Sequence, residues 1–157
     1  SNSESDAESQ VDTNAQTSSA SSTQDNVQVT AAQRAAEIEE QKRKQFEKLL
    51  SDHIVYFGFD KSTVDSEFTA ILDAHAKYLN ENPNVTVLIE GHTDLRGTPE
   101  YNIALGERRA KAVVTYLETL GVASSQLSVV SYGEEKPMVN DRSESAFAKN
   151  RRAVLVY

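Results

Sequence analysis

From Ile54 to Tyr157 the chain alternates short β-branched runs with stretches whose apolar residues recur at helical spacing, and that alternation restricts it to folds that pack helices on a sheet. IVYFGF (54–59) reads as a strand. Phe68, Ile71, Leu72, Ala76 and Leu79 then mark the apolar face of a helix that Asn82-Pro83 stops. VTVLIEGH (85–92) predicts a second strand ending at Gly91. Thr98-Pro99 has the form of an N-cap followed by proline at the first helical position, and the helix runs to Leu120, with Gly121 as its cap. LSVVSYG (127–133) and RAVLVY (152–157) complete a β-α-β-α-β-β order. His75 falls on an apolar helix face and reads as a core or boundary histidine.

Nothing before Ile54 offers a comparable core. Residues 1–29 are dominated by Ser, Thr, Asn, Gln, Asp and Glu, too polar to offset the entropy of ordering, and predict a disordered tether. Thr30 and Gln33 have capping-box spacing, so a helix is expected over 30–52. Its apolar stripe (Ala35, Ile38, Phe46, Leu49) is thin, which predicts a partly exposed helix whose last turns pack on a domain spanning 53–157. Residues 1–30 hold five acidic side chains and no Lys or Arg, so the rest of the chain, with 16 basic and 19 acidic groups, carries a net charge of only −3. Such a domain lacks the basic face that nucleic-acid binding requires. There is no cysteine, which excludes disulfides, thiolate nucleophiles and Cys-ligated metals. No apolar run approaches the roughly 20 residues that span a bilayer.

One residue breaks the pattern. The second long helix has its apolar face at Leu105, Ala112, Val113, Tyr116, Leu117 and Leu120, and Arg109 lies midway between Leu105 and Val113. A buried guanidinium there is costly unless it is paired. Asp94 occupies the loop between the second strand and this helix, a usual place for a ligand site. Two arrangements follow: an Asp94–Arg109 salt bridge that ties loop to helix, or two charges held apart to receive a zwitterion, carboxylate for ammonium and guanidinium fork for carboxylate. Spacing alone leaves them level. Asp60, after the first strand, reads as a turn or cap residue and a candidate third member.

Enzymatic readings find little support. His92 and Asp94 lack a second His or Cys at metal-ligand spacing, so neither a metal nor a cofactor is expected. No serine sits in a nucleophile elbow, and Gly91, Gly97 and Gly106 do not form a phosphate loop. NRR (150–152) reads as a solvated basic edge.

EGHTDLRGTPEYNIALGERRAKAVVTYL (90–117), SYGEEKP (131–137) and AKNRRAVLVY (148–157) resemble the OmpA-like peptidoglycan-binding domain, and RGTPEYN with KNRRAVLVY places the resemblance in its Pal branch. The resemblance covers about residues 53–157. It implies an α+β fold with a small mixed sheet, no catalysis, and non-covalent binding of the diaminopimelate of the peptidoglycan stem. Asp94 and Arg109 fall on the ligand pair. Asp60 and the turn of Phe57, Gly58 and Phe59 fall on the pocket wall, with Thr93, Arg96, Asn102 and Leu105 on motif positions nearby. Replacing Asp94 or Arg109 with Ala is then expected to remove wall binding and spare the fold.

The resemblance further implies a lipidated N-terminal cysteine, absent here, that holds the protein at the periplasmic face of the outer membrane, the folded part being soluble without it. A tether of 29 residues has a typical reach of about 30 Å. Implied partners are peptidoglycan, TolB and TolA, in the Tol–Pal system that serves envelope integrity and cell division. The alternative reading is a protein-interaction module for TolB and TolA with secondary wall contact. Leu95 stands where the family often has an acid, and MVNDRSESAF (138–147) departs from the usual loop.

Overall fold

The computed structural model describes residues 30–157 throughout and residues 14–29 only as the first turns of helix α1, Asn14–Ser51. Of the polar tether expected over 1–29, residues 1–13 lie outside the described residues, and residues 14–29 are not a tether but belong to helix α1. Helix α1 continues N-terminal of Thr30, so the capping-box spacing there does not mark its start; residues 14–29 contain no Gly or Pro to end a helix. The chain divides into two compact units, Ser1–Phe46 and Glu47–Tyr157. In the first, Glu40 pairs with Arg43 and Lys44 on the surface, and Ile38 is half exposed. In the second, the last turn of α1 buries Leu49.

The second unit is built on strands β1 (Ile54–Tyr56), β2 (Val87–His92), β3 (Leu127–Gly133) and β4 (Arg152–Val156), with helices α2 (Thr69–Glu81), α3 (Pro99–Thr119) and α4 (Glu144–Asn150). The sheet order is β1-β4-β2-β3, with β4 antiparallel to both neighbours and β2 parallel to β3. The mixed α+β architecture is the expected one, with α4 added. That helix has seven residues and only Ala146 and Phe147 as buried apolar side chains, too short for a periodic signal; Ser143 caps it by accepting from the Ala146 N–H. It forms within the divergent loop 138–147 and the residues that follow.

Val55, Val87, Ile89, Ala153 and Leu155 share one face of the sheet, and both α2 (Leu72, Ala76, Leu79) and α3 (Ala110, Val113, Leu117) pack against that face. His75 is fully buried there. Its Nε2 is 2.7 Å from the Asp52 carbonyl and therefore carries the proton, so Nδ1 accepts from the Tyr157 hydroxyl at 2.6 Å. Thr98 and Gly121 bound α3 as expected: Thr98 accepts from the Tyr101 N–H, and Gly121 (φ 96°) closes a Schellman turn with Val122 N–H on the Leu117 carbonyl. Leu120, assigned to the apolar face, is 42 % exposed because it is the capping residue, where the helical path ends. The first strand stops at Tyr56, not residue 59, because Phe57–Asp60 turns away, with Asp60 at φ 56°.

Helix α3 approaches β2 through two glycines. A Cβ built on Gly91 would lie 1.7 Å from the Gly106 carbonyl oxygen. This contact sets how closely Arg109, on α3, approaches the loop that leaves β2. Gly91→Ala should force strand and helix apart and lower stability by about 3 kcal/mol, measured by urea denaturation. An unchanged midpoint would show that the contact does not set the spacing.

Candidate functional site

The C-terminal end of β2, the turn after β1 and the N-terminal half of α3 enclose a cavity of about 250 Å³. Asp94, Arg109, Asp60, Phe59, Thr93, Arg96, Asn102 and Leu105, all named above, line it. Phe57 and Gly58 do not; they line a wider groove on the other side of the turn, with Tyr56, Phe68 and Arg151. The turn separates the two, and its residues divide between them. Phe57 still contributes from behind, its ring 5.4 Å from the Arg109 guanidinium, and Gly58 supplies a carbonyl.

Arg109 is fully buried, as its helical position requires. Its Nε donates to the Lys61 carbonyl (2.8 Å), Nη1 to His92 (2.9 Å) and Nη2 to Gly58 (3.2 Å). A guanidinium has five N–H donors, so one N–H on each terminal nitrogen is left for a ligand. Burial lowers its pKa to about 10, Asp94 partly opposing, and the group stays charged at neutral pH. Truncation to Ala would leave a void and three carbonyls without their donor, so Arg109→Ala is expected to weaken the fold as well as the site.

Asp94 makes no ion pair with Arg109 among the described residues. Its Oδ1 accepts from the Arg96 backbone N–H (3.0 Å) and Nε (3.2 Å), and its Oδ2 from Arg96 Nη2 (2.8 Å), with Arg151 Nη1 3.6 Å away. Of the two arrangements that spacing left level, the charges standing apart is the one observed. Burial of Asp94 favours the neutral acid, but the bonds from Arg96, with Arg151 beyond, prevail and hold its pKa below the usual value. The Arg96 guanidinium is itself sandwiched between the rings of Phe59 (4.3 Å) and Phe147 (4.2 Å).

The other lining residues shape the loop. Asn102 Nδ2 donates to the Arg96 carbonyl (3.1 Å) and to Glu134 Oε1 (2.7 Å), and Thr93 Oγ1 to the Asp94 carbonyl (2.8 Å). Gly97, at φ 103°, makes the bend before α3. Asp60 accepts from the Tyr101 hydroxyl at 2.5 Å across the cavity mouth. Gly97, Tyr101 and Arg151 were not anticipated. Tyr101 could have been found from its place one turn before Leu105 on the Arg109 helix, whereas Arg151 gave no signal. The reading of NRR (150–152) as a solvated edge is overturned: Asn150, Arg151 and Arg152 are all buried, at 1 %, 9 % and 6 % exposure. Asn150 pins residues 138 and 139, Arg152 donates to the carbonyls of Asn150 and Lys136, and Arg151 donates to Phe57.

The OmpA family model matches residues 56–151. Peptidoglycan-associated lipoproteins of Pasteurella multocida and Haemophilus influenzae are 61 % and 62 % identical over 103 residues, 66 % of this chain and 69 % and 67 % of theirs. This chain belongs to the OmpA family, among the peptidoglycan-associated lipoproteins. A crystal structure of the lipoprotein from Burkholderia pseudomallei superposes with a TM-score of 0.68 at 48 % identity, over 69 % of this chain and 92 % of that one. The matched region contains the whole cavity.

The depressed Asp94 pKa fixes a sign. A carboxylate whose folded pKa lies below its unfolded value of about 4 stabilises the fold fully above that pH, and the contribution is lost as pH falls through the folded value. Wild type should therefore exceed Asp94→Asn in urea midpoint near neutrality, with the gap closing as pH falls below about 4. A gap that widens on acidification would contradict the assignment.

Proposed function

We propose that the cavity receives the zwitterionic end of a diaminopimelate side chain in the peptidoglycan stem, and that the protein thereby anchors the outer membrane to the cell wall without catalysis. One observation carries this reading: two opposite charges line one small cavity without neutralising each other. Arg109, braced by three carbonyls, offers its remaining N–H groups to the ligand carboxylate. Asp94, which has a lone pair still open on Oδ2 beside its bonds to Arg96, accepts from the ligand ammonium. Both groups are held in place before the ligand arrives, which limits the ordering cost of binding.

The relatives are named as lipoproteins associated with peptidoglycan, which supports the wall as target and a lipid anchor at the outer membrane. No helix among the described residues is long and apolar enough to cross a membrane. Many anchored copies facing a polymer would hold by avidity even with modest affinity at each site. Membership of the Tol–Pal system, with TolB and TolA as partners, extends the same reading on family resemblance.

Titration calorimetry with a stem tripeptide ending in diaminopimelate tests it, with the lysine-ended tripeptide as control. The diaminopimelate peptide should bind. The lysine peptide, which lacks the carboxylate, should bind at least about tenfold more weakly. Asp94→Asn and Arg109→Lys should each lose about tenfold or more while melting cooperatively. Equal binding of both peptides, or undiminished binding by either variant, would overturn the roles.

A further inference from the structure

The two cavity charges attract one another, and in partly desolvated surroundings that attraction is strong. A site that works as proposed needs something to keep them from closing on each other. Arg109 cannot move far, because three carbonyls from two segments hold its guanidinium. Asp94 is on a loop, so of the two it is the one whose position depends on its other partners. Its main bond is to Arg96, but Arg96 is two residues away on the same loop and about a third exposed, so it would travel with Asp94 and cannot fix its position relative to the sheet.

Arg151 is differently placed. It stands at the junction of α4 and β4 and is held by three bonds, one to α4 and two to Phe57 just after β1. Its N–H donates to the Phe147 carbonyl (3.2 Å), its carbonyl accepts from Phe57 N–H (2.9 Å), and its Nε donates to the Phe57 carbonyl (2.9 Å). The free end of the guanidinium then reaches Asp94 Oδ2 at 3.6 Å and Glu144 at 3.5 Å. The same side chain thus braces the turn that forms the cavity wall and presents a fixed cation to the carboxylate on the loop.

We propose that Arg151 is a positioning residue that keeps the clamp open, drawing the Asp94 carboxylate away from Arg109 while it fixes the Phe57–Asp60 turn. The proposal rests on the zwitterion reading of the cavity. It adds a cation that touches no ligand and acts through Asp94. Without that charge Asp94 closes on Arg109, and the ligand must compete with an internal salt bridge.

Two variants separate charge from bracing. Arg151→Gln removes the charge and keeps an N–H for the Phe57 carbonyl; Arg151→Lys keeps the charge and loses the fork. Crystal structures of both, free of ligand, and titration with the diaminopimelate tripeptide are the measurements. In the Gln variant Asp94 should lie about 3 Å from Arg109 Nη. If nine in ten molecules are closed, affinity falls about tenfold. The Lys variant should remain open, with affinity within about threefold of wild type. A Gln variant with Asp94 still apart from Arg109, or a Lys variant that loses as much affinity as the Gln variant, would overturn the proposal. Should the Gln variant not fold, the Lys variant decides: open supports it and closed overturns it. If wild type itself does not bind the peptide, the zwitterion reading fails, and the ligand-free structures still decide what Arg151 does.

Discussion

A guanidinium buried among backbone carbonyls organises this domain. Arg109 collects the carbonyls of Gly58 and Lys61 from the turn after β1 and of His92 from the end of β2. Those peptide oxygens face a fully buried guanidinium, and each would carry a desolvation penalty without a donor. One side chain satisfies three of them, which compensates for burying its own charge. The turn, the strand end and the helix therefore cannot be placed independently. The cavity lies where they meet.

Close backbone contact makes that meeting point accessible. Without side chains at Gly91 and Gly106, α3 settles onto β2, with room for no Cβ between them. A helix at ordinary distance would leave Arg109 short of the His92 carbonyl. The rest of the site is layered outward from this contact. Arg96 lies over Asp94 between two phenyl rings, and Tyr101 reaches across to Asp60 at the mouth. The two charges of the site, Arg109 and Asp94, are buried beneath the exposed rings of Phe59 and Tyr101.

Much of this was legible in the sequence, for identifiable reasons. The strands β2, β3 and β4 carry strong alternation, and α3 has a capping threonine, a proline and a closing glycine, so their ends fell close to where they were read. Arg109 was legible because a charge on an apolar helical face has few explanations. What was not legible depends on contacts between segments distant in sequence. Nothing in NRR says that Arg151 bonds to Phe57, 94 residues away, at 2.9 Å. The helix α4 is too short for periodicity, and without it Phe147 has no evident reason to be buried against Arg96. Phe57 and Gly58 line a different groove from Phe59 and Asp60, a division made within a turn that ends in a left-handed φ at Asp60, and no pattern of apolar residues encodes such a turn.

The electrostatic arrangement limits how a ligand could be held. Asp94 faces two guanidinium groups at rest, so its charge is substantially neutralised before any ligand arrives, while Arg109 is surrounded by carbonyl dipoles that leave its net charge intact. On the proposed reading, an entering zwitterion meets unequal partners: its carboxylate finds an unneutralised cation, and its ammonium finds a carboxylate already shared. Recognition in such a site should depend more on the ligand's carboxylate than on its ammonium. The ammonium gains mainly from geometry, because a carboxylate locked by Arg96 and Arg151 does not need to reorient. Arg96 and Arg151 therefore weaken the pull of Asp94 on a cation and at the same time keep that pull directed at the cavity, an exchange of strength for position that suits a contact meant to be reversible at each site.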